Sequence, residues 1–167
     1  MSVPERVADP SVRSATGVTG AGTQRERLVL GREYRLVVTG GRDYPDRKAV
    51  FRQLSACRRS ASHTGMTFVV IHGDCPTGAD HWASLWCAKT GVAERRYPAA
   101  WGRYGRSAGP LRNEAMLAAE HPDMVLAFPG GRGTADCVRR ARARGLLVIT
   151  HDHRTLEAKS AAAEVDR

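Results

Sequence analysis

The chain has 167 residues, 42% of them hydrophobic and 26% charged, the proportions of one globular domain large enough to bury a core of its own. No apolar run approaches the roughly 20 residues that span a bilayer, and the N-terminus lacks the apolar stretch of a secretory signal, so a cytoplasmic protein without a membrane partner is expected. The net charge is +9 and the pI is about 10.1, a balance that fits nucleic acid, a phosphate-bearing small ligand, or simply a solvated basic surface.

Residues 1–31 mix Ser, Thr, Gly, Pro and charge without a lasting apolar period and read as a disordered N-terminal tail. The folded unit is expected over 33–155, with 156–167 as a C-terminal tail. "YRLVVT" (34–39) reads as the first strand, ending at Gly40 and Gly41. From Asp46 to about Arg59 the spacing of Val50, Leu54 and Cys57 predicts a helix. "TFVVIH" (67–72) is the second strand. Gly78 to Thr90 reads as a helix with Trp82, Leu85 and Trp86 on one stripe. "VAERRYP" (92–98) is a weak third strand, followed by a long loop, "PAAWGRYGRSAGP", and a helix from about Pro110 to Glu120. "MVLAF" (124–128) is the fourth strand, Thr134 to Arg144 a helix carrying Val138 and Ala141 inward, and "LLVIT" (146–150) the fifth strand.

Strands alternating with helices imply right-handed crossovers and a parallel sheet covered on both faces. The expected fold is therefore a Rossmann-like, doubly wound α/β domain of about five strands in the order 3-2-1-4-5. That order reverses between strands 1 and 4, and ligands of such sheets bind in the crevice at the reversal, outside the carboxyl ends of the strands. The two most glycine-rich strand ends, "TGGRD" and "FPGGRGT", flank it. Their glycines let backbone approach a ligand, and a helix starting near Thr134, with Thr134 as its N-cap, aims free amides and a positive dipole end at the same place. Gly40, Gly41, Arg42, Pro129, Gly130, Gly131, Arg132, Gly133 and Thr134 are thus candidate phosphate-binding residues. A third loop, "HGDCPTGAD" (72–80), adds Gly73, Gly78 and Asp80. The spacing is neither that of a Walker A loop nor that of the dinucleotide fingerprint.

Taken together, "VVTGGRDY", "HGDCPTGADHWASLW", "YPAAWGRYGRSAGPLRNEAML" and "PDMVLAFPGGRGTADCVRRAR" resemble the YspA-like, YpsA-related branch of the SLOG superfamily over roughly residues 34–150. The resemblance implies a Rossmann-like domain that binds nucleotides or nucleotide-derived ligands, and a homodimer as one assembly. The superfamily also holds the DNA-processing protein DprA and the lysine-decarboxylase-like phosphoribohydrolases. The hydrolases carry PGGxGTxxE, with an arginine on the preceding helix in an RKxxM setting. Pro129, Gly130, Gly131, Gly133 and Thr134 match that loop; Arg112 and Met116 match the arginine helix, with Asn113 where the lysine stands. Cys137 occupies the position of the final glutamate, and a thiol is mostly neutral at pH 7. Asp136 is adjacent, but neighbours on a helix point about 100° apart, so it substitutes only if the helix starts elsewhere.

The remaining candidates keep two roles each. Asp80 binds sugar hydroxyls or acts as a base, or else satisfies amides at the start of its helix. Asp43 accepts from a ligand or holds its turn. His72 reads as a hydrogen-bonded core residue. Trp101 and Tyr104, interleaved with Arg103 and Arg106, either stack a base or form a packed lid. Arg112 and Asn113 suit a phosphate or carboxylate. Arg112, Asp80 and Asp136 are the candidate catalytic groups. His151 and His153 lack further ligands, the four cysteines form no CxxC pair, and neither metal nor cofactor is expected. The favoured function is a sensor-type nucleotide-binding domain without turnover. The alternatives are a hydrolase of the N-glycosidic bond of nucleoside monophosphates and, less favoured, a nucleic-acid-binding protein.

Overall fold

The structure is a computed structural model and describes residues 31–151. The expected tails, apart from Gly31, and His153 lie outside the described residues. Five strands form one sheet: β1 (Glu33–Thr39), β2 (Thr67–His72), β3 (Ala93–Arg96), β4 (Met124–Ala127) and β5 (Leu147–Thr150). Its order is β3-β2-β1-β4-β5 and every pairing is parallel. This is the Rossmann-like α/β arrangement read from the alternation of elements. In it β1 lies between β2 and β4, with Val37 opposite Ile71 on one side and Val125 on the other.

Alternate residues of β1 feed two cores because successive strand side chains point to opposite faces. Leu36 and Val38 pack with Val50 and Leu54 of α1 (Arg47–Ser62) and with Ala83 and Trp86 of α2 (Gly78–Thr90). Val37 packs on the other face with Met116 and Leu117 of α4 (Ala108–Glu120) and with Cys137 and Ala141 of α5 (Arg132–Ala143). Leu36, Val37, Leu54, Ile71 and Leu126 are fully buried. Each such side chain contributes about 1.5–3 kcal/mol relative to exposure.

Several element boundaries differ from the sequence reading. β3 is shorter, Ala93–Arg96, on a sheet edge where half its residues stay exposed. The expected loop after it contains a helical turn, α3 (Trp101–Tyr104), and a 3₁₀ turn, Gly105–Ser107. α4 begins at Ala108, which leaves Pro110 in the first turn, where its missing N–H costs nothing. α5 begins at Arg132, so Gly131 and not Thr134 is its N-cap. Glycines at a helix start read as loop by propensity. Here Gly131 is extended (φ −87°, ψ −151°) and its carbonyl already accepts from the Ala135 amide at 3.1 Å.

At the amino end of the sheet the basic residues are matched by acids. Arg95 binds Glu33 and Glu120, each at 2.6 Å, and Arg35 binds Glu33 at 2.8 Å. Tyr97 donates its hydroxyl to Glu120 at 2.6 Å. This end is a closed ionic network and leaves little charge for a ligand.

Candidate functional site

Three βα loops converge at the carboxyl end of the sheet. The Gly41 amide donates to the Pro129 carbonyl at 2.9 Å, which joins the loop after β1 to the loop after β4. The Ala79 amide donates to the Gly41 carbonyl at 3.2 Å and brings in the loop after β2. The glycines make this contact possible. A Cβ on Gly130 would meet the Gly41 amide and the Gly40 carbonyl carbon, and one on Gly40 would meet the Ala79 side chain.

Gly131 and Gly133 are different. Both are exposed, neither has a positive φ, and a Cβ on either would meet nothing within 4 Å. Neither packing nor backbone conformation asks for glycine there. Both face a cavity of about 550 Å³, lined on one side by Thr39, Gly40, Gly41 and Arg42 and on the other by Arg112, Asn113 and Thr134. No side chain caps α5. Among the described residues no side-chain oxygen therefore accepts from its first-turn N–H groups, which carry the positive end of the helix dipole. α1 is treated otherwise: the Asp46 carboxylate accepts from the Ala49 amide at 2.8 Å.

Asp80 forms part of the cavity wall and is only 6% exposed. It accepts from the Cys75 amide at 3.3 Å. Burial pushes its carboxyl above the usual range; the neighbouring His72 and Arg112 side chains and nearby backbone amides oppose that rise without cancelling it. The folded state thus holds the Asp80 proton to higher pH than the unfolded chain does. The stability contributed by this group is present below the ordinary aspartate pKa and is lost as the pH rises through the raised value. Asp80→Asn, which keeps an acceptor for the Cys75 amide, should raise the Tm of the unliganded protein at pH 7. The gain should shrink on acidification below the ordinary carboxylate range. Thermal melts of both proteins from pH 3 to pH 8 (roughly that span) check this, and a constant or negative difference would contradict it.

Arg112 lies flat on Gly73, where a Cβ would overlap its guanidinium. It donates from Nη1 to the Tyr97 carbonyl at 3.1 Å and from Nε to Asn113 Oδ1 at 3.0 Å. Asn113, 3% exposed, donates through Nδ2 to the Gly133 carbonyl at 3.1 Å. At the mouth the Arg42 guanidinium stands 4.9 Å from the Trp101 ring centroid, and the indole edge rests on Gly109.

Residues 34–104 match the model of the family described as YspA, cpYpsA-related SLOG (YAcAr). Over that stretch the chain is similar to the SLOG family. Comparison with curated proteins and with solved structures finds no match. The SLOG segment carries the loops after β1 and β2 and reaches Trp101 and Tyr104. Arg112 and the loop 129–134 lie beyond it.

Of the residues singled out in the SLOG-like sequence, the cavity brings together Gly40, Gly41, Arg42, Gly73, Asp80, Trp101, Arg112, Asn113, Gly131, Gly133 and Thr134. Gly78, Pro129, Gly130, Arg132, Tyr104 and Asp136 are not in its lining. Gly78 and Gly130 serve loop packing, and Arg132 is exposed between the two open glycines. Tyr104 lies under Arg103, whose guanidinium is 5.2 Å from its ring centroid. Asp136 turns to Arg139 and Arg140 and accepts from Asn113. Burial works against its ionisation, yet the hydrogen bonds from Arg140, Asn113 and Arg139 outweigh burial and hold its carboxyl below the usual range. Cys137 is fully buried beside Val37, Met116 and Ala141, and burial pushes its thiol up to about 11. His72 is a core residue: Nδ1 accepts from the Asp74 amide at 3.1 Å, which leaves the ring proton on Nε2, 2.6 Å from Glu94. Asp43 stands in the turn closed by the Tyr44 amide on the Gly41 carbonyl.

Sequence reasoning missed Asp74, Cys75, Pro98 and Gly109 as cavity-lining residues. Asp74 had a signal only in hindsight of its loop: it takes φ +53°, which non-glycine residues seldom adopt and Asp tolerates. Among the described residues no group of acids, histidines and cysteines gathers as a metal cluster, and no helix is long and apolar enough to cross a membrane.

Proposed function

We propose that this protein is a nucleotide-binding or nucleotide-derivative-binding domain of the sensor type, with a ligand phosphate on Gly131, Gly133 and Thr134. One observation carries the reading. Two glycines that neither packing nor conformation requires stand at an uncapped helix N-terminus and open onto a cavity that also holds Arg42. Anions are stabilised at such a place by free amides, by the dipole and by charge-assisted hydrogen bonds from arginine. Arg42 and Trp101 at the mouth offer a flat cationic and aromatic surface for a base.

Similarity to the SLOG family over residues 34–104 fits a nucleotide ligand and leaves the ligand unnamed. The hydrolase alternative needs a carboxylate at position 137, and Cys137 is an apolar-packed thiol there. Binding without turnover is therefore the favoured form. The test is thermal stabilisation by a panel of nucleoside mono-, di- and triphosphates and dinucleotides. A ligand at about 100 times its Kd adds roughly 2.7 kcal/mol, a plainly visible rise in Tm. Failure of every nucleotide to move the melt would overturn the reading; release of free base from a monophosphate would restore the enzyme alternative.

A further inference from the structure

His72 closes β2 and is 1% exposed. Its two ring nitrogens meet partners of opposite kind. Nε2 stands 2.6 Å from Glu94 Oε1, and Nδ1 stands 3.1 Å from the Asp74 amide. An amide N–H can only donate, so Nδ1 carries a bare lone pair. An ionised carboxylate can only accept, so the ring proton sits on Nε2. Burial works against the ionisation of Glu94, yet the hydrogen bonds from Arg96, His72 and Ser84 hold its carboxyl below the usual range. This surrounding fits a neutral imidazole, and one tautomer of it.

The ring holds part of the cavity wall. Gly73, Asp74 and Cys75 line the cavity. Asp74 takes φ +53°, a left-handed conformation that a residue other than glycine keeps only where its surroundings impose it. His72 Nδ1 ties its amide back to the strand end. The following amide, of Cys75, donates to Asp80. The main chain of His72 is fixed separately, because its carbonyl accepts from the Tyr97 amide at 2.9 Å. The start of the loop is thus fastened to the sheet through the lone pair of one imidazole.

That lone pair is also where a second ring proton goes. Histidine is the side chain that gains a proton between about pH 5 and pH 8. In an imidazolium both nitrogens donate. Nδ1–H then opposes the Asp74 N–H and their bond is lost, while the bond to Glu94 survives and gains charge. The Asp74 carboxylate, 3.6 Å from Arg96, supplies an acceptor for Nδ1–H once the loop turns. The charged and titratable groups about the ring are Glu94 and Arg96 on β3, Asp80 and Cys87 on α2, Asp74 and Cys75 in the loop, and Arg112 of α4 over Gly73. Glu94, Asp74 and an ionised Asp80 favour the second proton, and Arg96 and Arg112 oppose it. Burial pushes the Cys87 thiol up to about 12, so it stays neutral throughout.

We propose that His72 is a proton-operated latch on the cavity wall. Neutral, it holds residues 73–75 in the form that lines the cavity; protonated on Nδ1, it releases Asp74 and lets that wall move. A ligand that needs the latched wall therefore binds more weakly as the pH falls, and by reciprocity its binding expels the proton. The latch stands apart from the nucleotide reading; only its effect on affinity rests on it.

The test begins with the unliganded full-length protein, labelled with ¹⁵N. Long-range imidazole spectra from about pH 8 to about pH 5 report the tautomer and protonation of His72. Hydrogen exchange of the Asp74 amide, corrected for its intrinsic pH dependence, reports the latch. At the upper end His72 should carry its proton on Nε2. As Nδ1 gains a proton, Asp74 exchange should quicken by about tenfold or more along the same titration curve. His72→Asn places an amide oxygen near the position of Nδ1 and does not titrate, so exchange should stay slow at every pH. His72→Gln reaches toward Glu94 and leaves the Asp74 amide without its acceptor, so exchange should be fast at every pH. A proton on Nδ1 at the upper end, a ring that stays neutral throughout, or protonation with Asp74 exchange unchanged overturns the latch, and the parent alone decides these three. Calorimetry with the best nucleotide of the panel adds the second arm. Its affinity for the parent should fall about tenfold more over the same range than its affinity for His72→Asn, in which only the ligand phosphate and Asp80 still titrate. Equal pH dependence in the two proteins overturns the coupling. If no nucleotide binds, the nucleotide reading falls while the exchange measurement still decides the latch.

Discussion

Gly131→Asp is expected to fold as well as the parent and to lose its response to nucleotides. Gly131 has φ −87° and open space where a side chain would begin, so neither strain nor overlap opposes the new residue. It is the N-cap of α5, and Asp is among the best N-caps, because its carboxylate accepts from the second and third amides of the helix. Those amides belong to Gly133 and Thr134, the ones proposed for the ligand phosphate. The substituted carboxylate therefore occupies the anion seat from within and repels any anion that approaches it. The unliganded Tm should stay level or rise slightly. Affinity for any phosphorylated ligand should fall by about a hundredfold or more, through lost charge-assisted bonds and added repulsion. Calorimetry of the parent and the variant against the best ligand of the panel decides the matter. Undiminished binding by the folded variant would remove the loop 130–134 from the site. Gly131→Ala is the control: it costs only about 0.5–1 kcal/mol as a poorer cap and leaves the amides free.

Gly78→Ala should do the opposite, damaging the fold itself. Gly78 takes φ +70°, and a Cβ there would overlap the Gly41 carbonyl oxygen and the Arg42 backbone. The obstructing atoms are main chain, so no rotamer change relieves the contact. Left-handed strain of about 1–2 kcal/mol adds to an overpacking cost of about 1–3 kcal/mol. The expected fall in Tm is about 10 °C for a domain of this size, with loss of ligand binding because the loops after β1 and β2 are forced apart. A differential scanning calorimetry trace within about 2 °C of the parent would contradict the packing role given to Gly78. The two variants differ by one methyl against one carboxylate, yet the smaller change is expected to do more harm to the fold.

Much of the fold was legible because its signals are local. "YRLVVT", "TFVVIH" and "MVLAF" are short apolar runs, each closed by glycine or proline, and each became a central strand. The strand order followed from alternation with helices and the handedness of crossovers. Boundaries failed where a helix opens on residues of low helix propensity, as in "GGRGT", or where "WGRYGRSAG" hides one turn of helix among glycines.

The candidate site was legible as a set of loops and illegible as a set of roles. Gly130 and Gly131 are adjacent and alike in sequence. One is pressed against the loop after β1 and the other faces open space, and only the meeting of residues 41 and 129 separates them. Asp136 and Cys137 stood as neighbours competing for one role. The helix phase sent the first to Arg139 and Arg140 and the second into the core. Gly73 and Arg112 are far apart in the chain and carried no sign of their contact.

From the amino-acid order alone came the elements, the sheet order, the position of the crevice and the glycine loops that border it, because hydrophobic period and backbone freedom act over a few residues. The tertiary structure decided which glycines make room for protein and which leave room for a guest, and which charges meet. Those outcomes depend on atoms brought together from distant parts of the chain, and no spacing rule within a short stretch encodes them.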